Sequence, residues 1–330
     1  MSVPHPTVLL ATRNRAATLA SVLEQYCRLQ SPPNGWDMIV VDNGSSDRTA
    51  EVVRSFSRRL PVQYVSEPTP GKNAALNAGL RFVTGDLVVF TDDDIFPNAD
   101  WLVELCAAAE SHESYAVFAG VIRPRWEAPP SEVILQALPL GVAYAIHPPG
   151  LREGPTAASF VFGGNVAIRA DVFRNGYRFD PAMGPRPTAV YVMGGESELI
   201  RRLDAEARGI WCCDKAIVEH LVPRSNLETA WILRRAERYG RAQYRLGDGL
   251  SNGPTWLGVP RWIYRAVLTE CFSIARAAVA RNSVKLLQTR WQLHLFMGIS
   301  AEARATRRSG ADGRQAVLIR EPKLSHRDVA

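Results

Sequence analysis

The chain has 330 residues, 46% of them hydrophobic and 22% charged, with a formal net charge of +6. That balance excludes a disordered chain and suits one large domain with an appendage. No charge-free apolar stretch reaches the roughly 20 residues of a spanning helix, and the first 15 residues lack the basic start, apolar run and cleavage site of a secretion signal, so a cytoplasmic location is expected.

The first half alternates short apolar runs with amphipathic stretches. Thr7–Leu10 reads as a strand and Ala16–Leu29 as a helix. Met38–Val41 reads as a second strand, ending in Asp42-Asn43-Gly44-Ser45-Ser46-Asp47, whose Ser45, Ser46 or Asp47 can cap a helix running to Arg59. Val62–Val65 is a third strand. After the break at Pro70-Gly71-Lys72, a helix is expected over Asn73–Val83. Leu87–Phe90 is a fourth strand that enters Thr91-Asp92-Asp93-Asp94, and a helix follows over Asn98–Glu110. Four-residue apolar strands, each followed by a helix, predict an α/β fold with a mostly parallel sheet and helices on both faces. Ligands of such sheets sit beyond the carboxyl ends of the strands. The clusters Thr12-Arg13-Asn14, Asp42-Asn43 and Asp92-Asp93-Asp94 all fall there.

Three consecutive aspartates repel one another, and a hard divalent cation such as Mg²⁺ or Mn²⁺ relieves this while leaving positions for substrate phosphates. A helix N-terminus favoured by acids is the plainer reading. There is no GxxxxGK[ST] and no GxGxxG, so a nucleotide is not held as in phosphate-loop or dinucleotide folds. Lys72 or Arg13 is then the candidate partner for phosphates, and Asp42 for a base or ribose.

The second half offers Phe162-Gly163-Gly164-Asn165, where paired glycines allow a ligand close to the backbone or simply form a tight turn. Gly194-Gly195-Glu196-Ser197-Glu198 leads into a helix. Glu196 and Glu198 point about 200° apart there, so only one can face a cleft. His220 follows an apolar run and reads as a metal ligand or as a structural histidine. The apolar segment 133–146, broken by Pro139 and Gly141, is either core or an acceptor-side wall that touches lipid. Five cysteines without CxxC spacing read as buried free thiols.

The basicity belongs to the tail. Residues 231–330 hold 18 Lys and Arg against 7 Asp and Glu, whereas residues 1–230 hold 21 against 26. Trp256, Leu257, Val259, Trp262, Ile263, Tyr264, Val267 and Leu268 recur at helical spacing among Arg261 and Arg265. Leu286, Leu287, Trp291 and Leu295 do so among Arg281, Lys285 and Arg290. Such helices suit an anionic membrane interface, through residues 255–330, or packing on the main domain. No nucleic-acid reader motif is present. The last 25 or so residues lose periodicity and read as frayed, and His326 among them has no chemical neighbours.

Six segments in this order resemble family 2 glycosyltransferases of GT-A fold: residues 8–15, 39–49, 70–80, 88–102, 162–173 and 194–203. The resemblance covers roughly residues 5–222. It implies a Rossmann-like catalytic domain over residues 1–225, with a nucleotide-binding half to about residue 97 and an acceptor half from 98. The basic helical region 226–330 follows. It also implies a nucleotide-diphosphate sugar donor, a divalent metal (Mn²⁺ or Mg²⁺) and inversion at the anomeric carbon. The acceptor would be a carbohydrate, lipid-linked or other hydroxyl, and the enzyme would be cytoplasmic or peripheral on the cytoplasmic face of the membrane. Thr12, Arg13 and Asp42 match nucleoside-holding positions, and Lys72 and Asn77 a segment beside the phosphates. Asp92, Asp93 and Asp94 match the DxD motif, with Asp94 the direct metal ligand, Asp92 toward ribose or metal water, and Asp93 in the variable middle place. His220 matches a histidine near the metal. Gly163, Gly164, Asn165 and Glu198 fall on the sugar and acceptor side. The family commonly reads Gly-Glu-Asp before the second-half helix. Here Gly195 replaces the glutamate and Glu196 takes the base position, with Glu198 in reserve. A catalytically silent sugar-nucleotide binder or assembly partner is the rival reading, and a sugar-phosphate nucleotidyltransferase, which needs a glycine-rich loop near the first strand, is another.

Overall fold

The computed structural model describes residues 3–186, 191–247 and 253–308. Of the tail expected to be frayed, residues up to 308 are helical and residues 309–330, with His326, lie outside the described residues.

The first four strands are β1 (Pro6–Thr12), β2 (Asp37–Asp42), β3 (Val62–Ser66) and β4 (Leu87–Asp92). Each contains the apolar run read from the sequence, extended by one or more residues. They pair in parallel in the order β3-β2-β1-β4. Val8, Leu9, Leu10, Val40, Val41, Val88 and Val89 are fully buried, as expected of strands covered on both faces. The helices between them are α1 (Ala16–Tyr26), α2 (Thr49–Ser55) and α3 (Lys72–Gly79). α2 stops short of Arg59, and the chain turns instead through Phe56 to Leu60, both buried.

Past β4 the sheet becomes mixed. β5 (Ile95–Pro97), α4 (Trp101–Ser111), β6 (Val117–Trp126), β7 (Gly154–Pro155), β8 (Val166–Arg169) and β9 (Ile210–Val222) follow. The strand order continues β4-β8-β6-β9-β5, with β7 on β9. β8 runs antiparallel to both β4 and β6, and β5 antiparallel to β9. Two registers position the site. Thr12 lies beside Asp42 and Ala11 beside Asp92, which brings three carboxyl ends to one rim. Ile95 lies beside His220, which brings the far end of β9 next to the aspartates.

Segment 133–146 splits at Leu138-Pro139 into α5 (Glu132–Ala137) and α6 (Leu140–Tyr144). Ile134, Ala143, Tyr144 and Ile146 are buried, so the segment is core, and its Ala143–Ala145 end also lines a cavity. Two further helices, α7 (Ala170–Arg174) and α8 (Gly195–Ala205), lie between β8 and β9 in the chain.

The basic region forms α9 (Thr229–Arg245), a small hairpin of β10 (Thr255–Trp256) and β11 (Val259–Pro260), α10 (Arg261–Val279) and α11 (Ser283–Arg308). α9 and α11 cross closely because Gly240 and Gly298 each face the other helix's backbone; a Cβ at either would lie 2.0 Å from a carbonyl oxygen. Leu287, Trp291, Leu295 and Ile299 are buried there, and Arg241 and Arg245 pair with the buried Glu302. α10 differs: Leu268, Phe272 and Val279 remain exposed, as do Trp256, Leu257 and Trp262 before them. Among the described residues no helix is long and apolar enough to cross a membrane. Cys106, Cys212 and Cys213 are buried free thiols as expected, but Cys27 is half-buried and Cys271 is exposed on α10, so that expectation fails for the pair.

Candidate active site

A cavity of about 630 Å³ opens at the carboxyl rim of the sheet, within the usual range for ligand pockets. Its lining includes Thr12, Arg13, Lys72, Asp92, Asp93, Asp94 and His220, all singled out from the sequence. The aspartates follow directly from the end of β4, each with a different partner. Asp92 meets the ammonium of Lys72. Burial pushes its pKa up, but the lysine charge and bond outweigh that and hold the carboxyl below its usual value. Asp93 accepts a hydrogen bond from Thr12 Oγ1 at 2.7 Å. Burial, then the neighbouring Asp94, push its carboxyl up to about 7 against the pull of Arg15. Asp94 Oδ2 lies 3.3 Å from Arg15 Nη1, and its Oδ1 lies 3.6 Å from His220 Nε2.

The His220 ring is fixed from behind. Its Nδ1 lies 2.6 Å from the carbonyl oxygen of Tyr144, which can only accept. Nδ1 therefore carries the hydrogen, and in the neutral ring Nε2 directs a lone pair toward Asp94. A lone pair and a carboxylate facing one another fit a shared divalent cation. Among the described residues no cluster of three or more ligating side chains stands ready. The fit is therefore to an ion held by one or two side chains with remaining positions for phosphate and water, as Mg²⁺ and Mn²⁺ commonly accept.

Lys72 connects the aspartates to Glu196. Its Nζ lies 2.5 Å from Glu196 Oε1, off hydrogen-bond geometry, since that oxygen has no hydrogen-bond partner. Burial lowers the lysine's proton affinity, but Asp92 and Glu196 more than reverse this and raise it. Glu196 itself does not line the cavity; Lys72 does. Glu196 stands in the first turn of α8, against Gly163. Glu198 turns elsewhere, toward Arg202, whose Nη2 donates to Oε2 at 3.0 Å and whose Nε lies 2.6 Å from Oε1 as an ion-pair contact without hydrogen-bond geometry.

Other expected residues, Asp42, Asn77, Asn165, Gly163 and Gly164, are not part of the cavity lining. Asp42 is buried and accepts from the Ser45 N–H and the Tyr64 hydroxyl. Asn77 uses both ends of its amide on the Phe179 backbone, far from the aspartates in hydrogen-bond terms. Asn165 is 1% exposed, donates to the Val121 and Ala216 carbonyls and accepts from Trp101 Nε1. Gly164 lies closest to β5: a Cβ there would sit 3.1 Å from Ile95 Cδ1, with Asp92 Oδ2 at an ordinary 3.5 Å.

Asn43, from the expected Asp42-Asn43 cluster, and Tyr144, from segment 133–146, also line it, while Arg15, Tyr191, Trp231, Arg235 and Arg238 were not foreseen. Tyr144 and Trp231 stack in parallel at 5.7 Å. The spacing of Trp231, Arg235 and Arg238, four residues then three, is one face of a helix and was the available signal.

The sequence profile of glycosyl transferase family 2 matches residues 7–176, half the chain. The protein belongs to glycosyl transferase family 2. Among family relatives, validoxylamine A glucosyltransferase of Streptomyces hygroscopicus subsp. limoneus is 32% identical over 108 residues, 32% of this chain and 24% of that one. Beta-monoglucosyldiacylglycerol synthase of Trichormus variabilis is 27% identical over 108 residues, 32% of this chain and 23% of that one. The matched region thus spans about a quarter of these relatives. The family fold extends further. Mannosyltransferase PcManGT from Pyrobaculum calidifontis, solved with GDP-Man and Mn²⁺, superposes with a TM-score of 0.60 at 19% identity, over 94% of this chain and 89% of that one. S. aureus TarS 1–349 superposes with a TM-score of 0.52 at 14% identity, over 93% and 92%.

Proposed function

We propose that this family 2 member transfers a sugar from a nucleotide-diphosphate sugar to an acceptor hydroxyl, with inversion, in glycoconjugate or polysaccharide synthesis. The observation that carries the reading is the convergence of Asp92, Asp94, His220 and Lys72 on one cavity, with Glu196 one ammonium away. The donor's nucleoside lies along Thr12, Arg13 and the Asp42–Asn43 rim. Asp94 and His220 Nε2 hold a divalent ion, with Asp92 beside them. When bound, that ion supplies Lewis-acid stabilisation to the departing diphosphate.

Lys72 offers its charge to the diphosphate, and in moving there it frees Glu196. Glu196 takes the proton of the acceptor hydroxyl as that oxygen attacks the anomeric carbon. The bond from that carbon to the phosphate oxygen breaks on the opposite face, and the nucleoside diphosphate leaves. Base help of this kind is typically worth about 10²–10⁴-fold. Glu196 is favoured over Glu198 because Arg202 occupies both oxygens of the latter. Gly163 seats the Glu196 carboxylate; Asn165, Asn77 and Gly164 act through the backbone they hold.

The test is thermal denaturation of the full chain with a panel of nucleoside diphosphates, with and without Mn²⁺ or Mg²⁺. Stabilisation by at least one, only with metal, is expected, since a ligand at 100 times its Kd adds about 2.7 kcal/mol. Loss of that shift in Asp94→Asn supports the metal site; an equal shift without metal counts against it. Binding without nucleoside diphosphate release from any donor and acceptor would favour a silent sugar-nucleotide binder.

We further infer that the exposed face of α10 rests on an anionic membrane. Leu268, Phe272 and Val279 are bare, and Arg261, Arg265 and Arg276 flank them at helical spacing, the arrangement of interfacial helices. The acceptor would then be delivered at the membrane.

A further inference from the structure

Two arginines of α9 line the cavity without an acidic partner. Arg235 Nε donates to the Val142 carbonyl at 3.2 Å, and its guanidinium carbon lies 6.0 Å from the Trp231 ring centre. Arg238 Nη1 donates to the Tyr191 hydroxyl at 3.1 Å, and its guanidinium lies 4.8 Å from that ring. They are one turn apart on one helix face. Neither forms an ion pair with any described residue, although both border the cavity.

Among the other cations that line the cavity, Arg13 and Arg186 also lack an acidic partner among the described residues, whereas Lys72 and Arg15 are matched. Lys72 has Asp92 and Glu196, and Arg15 has Asp93 and Asp94. One turn farther along α9, Arg241 and Arg245 share Glu302. The helix thus has a carboxylate for the arginines that face α11 and none for the pair that faces the cavity. An enclosed guanidinium is costly without a counter-charge. Burial lowers the proton affinity of Arg235, while Tyr191, Glu196 and Asp92 act on it only through their fields. Aromatic rings hold both guanidinium groups in place, and most of their N–H donors remain unused. Planar, pre-positioned guanidinium groups are suited to two-point binding of phosphate or carboxylate.

We propose that Arg235 and Arg238 form an oxyanion subsite in the α9 wall of the cavity, which takes a phosphoryl or carboxylate group of a substrate. The proposal rests on the transferase reading above for what the anion belongs to: the donor's diphosphate, or a charged acceptor. The arginine chemistry is the same in both cases, and the experiment separates them.

Calorimetric titration of the full chain with nucleoside diphosphate and Mn²⁺, and then of that complex with inorganic phosphate and sn-glycerol 3-phosphate, is compared with Arg235→Gln, Arg235→Lys, Arg238→Gln and the exposed control Arg234→Gln. Circular dichroism checks folding; should Arg235→Gln not fold, Arg235→Lys and Arg238→Gln carry the test. Weakening of nucleoside diphosphate binding by about tenfold or more, with Arg234→Gln unchanged, supports the subsite and assigns it to the donor. Retained nucleoside diphosphate binding with similarly weakened phosphate or glycerol phosphate binding supports it and assigns it to the acceptor. If no nucleoside diphosphate binds at all, the transferase reading fails by itself, and phosphate titration of the free chain still tests the arginines. Anion binding that is absent in the wild type, or equal in wild type and variants, overturns the proposal.

Discussion

Gly163 touches Glu196 so closely that a Cβ at position 163 would lie 2.5 Å from the Glu196 carboxyl carbon. The atoms that would have to yield are the free end of a flexible side chain, so the chain can relieve the clash by moving the carboxylate. Gly163→Ala should therefore leave stability within about 1 kcal/mol of wild type and lower kcat by about 10²-fold. Thermal denaturation and nucleoside diphosphate release check the two halves. Normal turnover would remove Glu196 from the base role.

That contact illustrates what the sequence discloses and what it does not. The glycine pair and the glutamate were each visible as isolated features, thirty-odd residues apart. Three of the four parallel strands, β1, β2 and β4, were legible because each is buried on both faces and reads as an apolar run, while the edge strand β3 is half-exposed and showed only a short β-branched and aromatic pattern around Gln63. Their carboxyl ends were legible as a rim because polar clusters follow each run. The antiparallel entry of β8, and the β5–β9 register that sets His220 beside Asp94, depend on long-range pairing that no local pattern encodes. Asn77 and Asn165 look like site residues in the text of the chain. Both hydrogen-bond to backbone: buried Asn165 clips the Val121 and Ala216 segments because buried polar groups must be satisfied, and half-buried Asn77 holds the Phe179 backbone. Arg235 and Arg238 were hidden within a general basic charge. Only their positions on α9 separate them from Arg241 and Arg245, which face α11.

Lys72 stands between two carboxylates. Replacing it with methionine leaves both half-enclosed with no compensating cation. Lys72→Met should lose about 3 kcal/mol of stability and weaken nucleoside diphosphate binding as well. Chemical denaturation and titration calorimetry measure these effects. Unaltered stability would mean that solvent, rather than the lysine, balances Asp92 and Glu196.

Asn165 separates a structural from a ligand-binding part. Its amide satisfies two carbonyls and the Trp101 N–H in a nearly water-free place. Asn165→Ala strands all three groups, at about 1–3 kcal/mol each at most, so a loss of roughly 3 kcal/mol or more is expected. Donor affinity in the remaining folded fraction should be unchanged. A specific drop in sugar-nucleotide affinity at full stability would return Asn165 to the binding site.

His147 predicts a pH dependence away from the catalytic groups. It is 9% exposed, its Nδ1 accepts the Ile122 N–H at 2.9 Å and its Nε2 lies 2.7 Å from the Phe160 carbonyl. Burial depresses its pKa below 6.5 against the pull of that carbonyl. Below about pH 6.5 the unfolded chain therefore binds the proton first, and stability falls as pH falls toward the folded value; above it the contribution is complete. One proton gives a slope of at most about 1.4 kcal/mol per pH unit. His147→Asn, whose amide oxygen can accept the Ile122 N–H, should flatten that slope between pH 5 and 7 in denaturation curves (about one unit either side of the midpoint for an imidazole). An identical slope in the variant would place the titration elsewhere.

The α10 face makes the last prediction. Phe272 is 76% exposed and Val279 87% exposed, with arginines beside them and no acidic residue on the bare stripe 261, 265, 268, 272, 276, 279. Burying such side chains in the interface yields about 1.5–3 kcal/mol for each large apolar group, and each arginine adds about 1 kcal/mol near an anionic surface. Phe272→Glu removes one contribution and introduces repulsion, so co-sedimentation with phosphatidylglycerol vesicles should fall by about tenfold or more. Neutral phosphatidylcholine vesicles should bind wild type weakly, and added salt should release it. Because α10 does not line the cavity, nucleoside diphosphate binding in the variant should match wild type. Equal recovery of wild type and Phe272→Glu with anionic vesicles would detach this face from the membrane and leave it for a protein partner or a second copy of the chain.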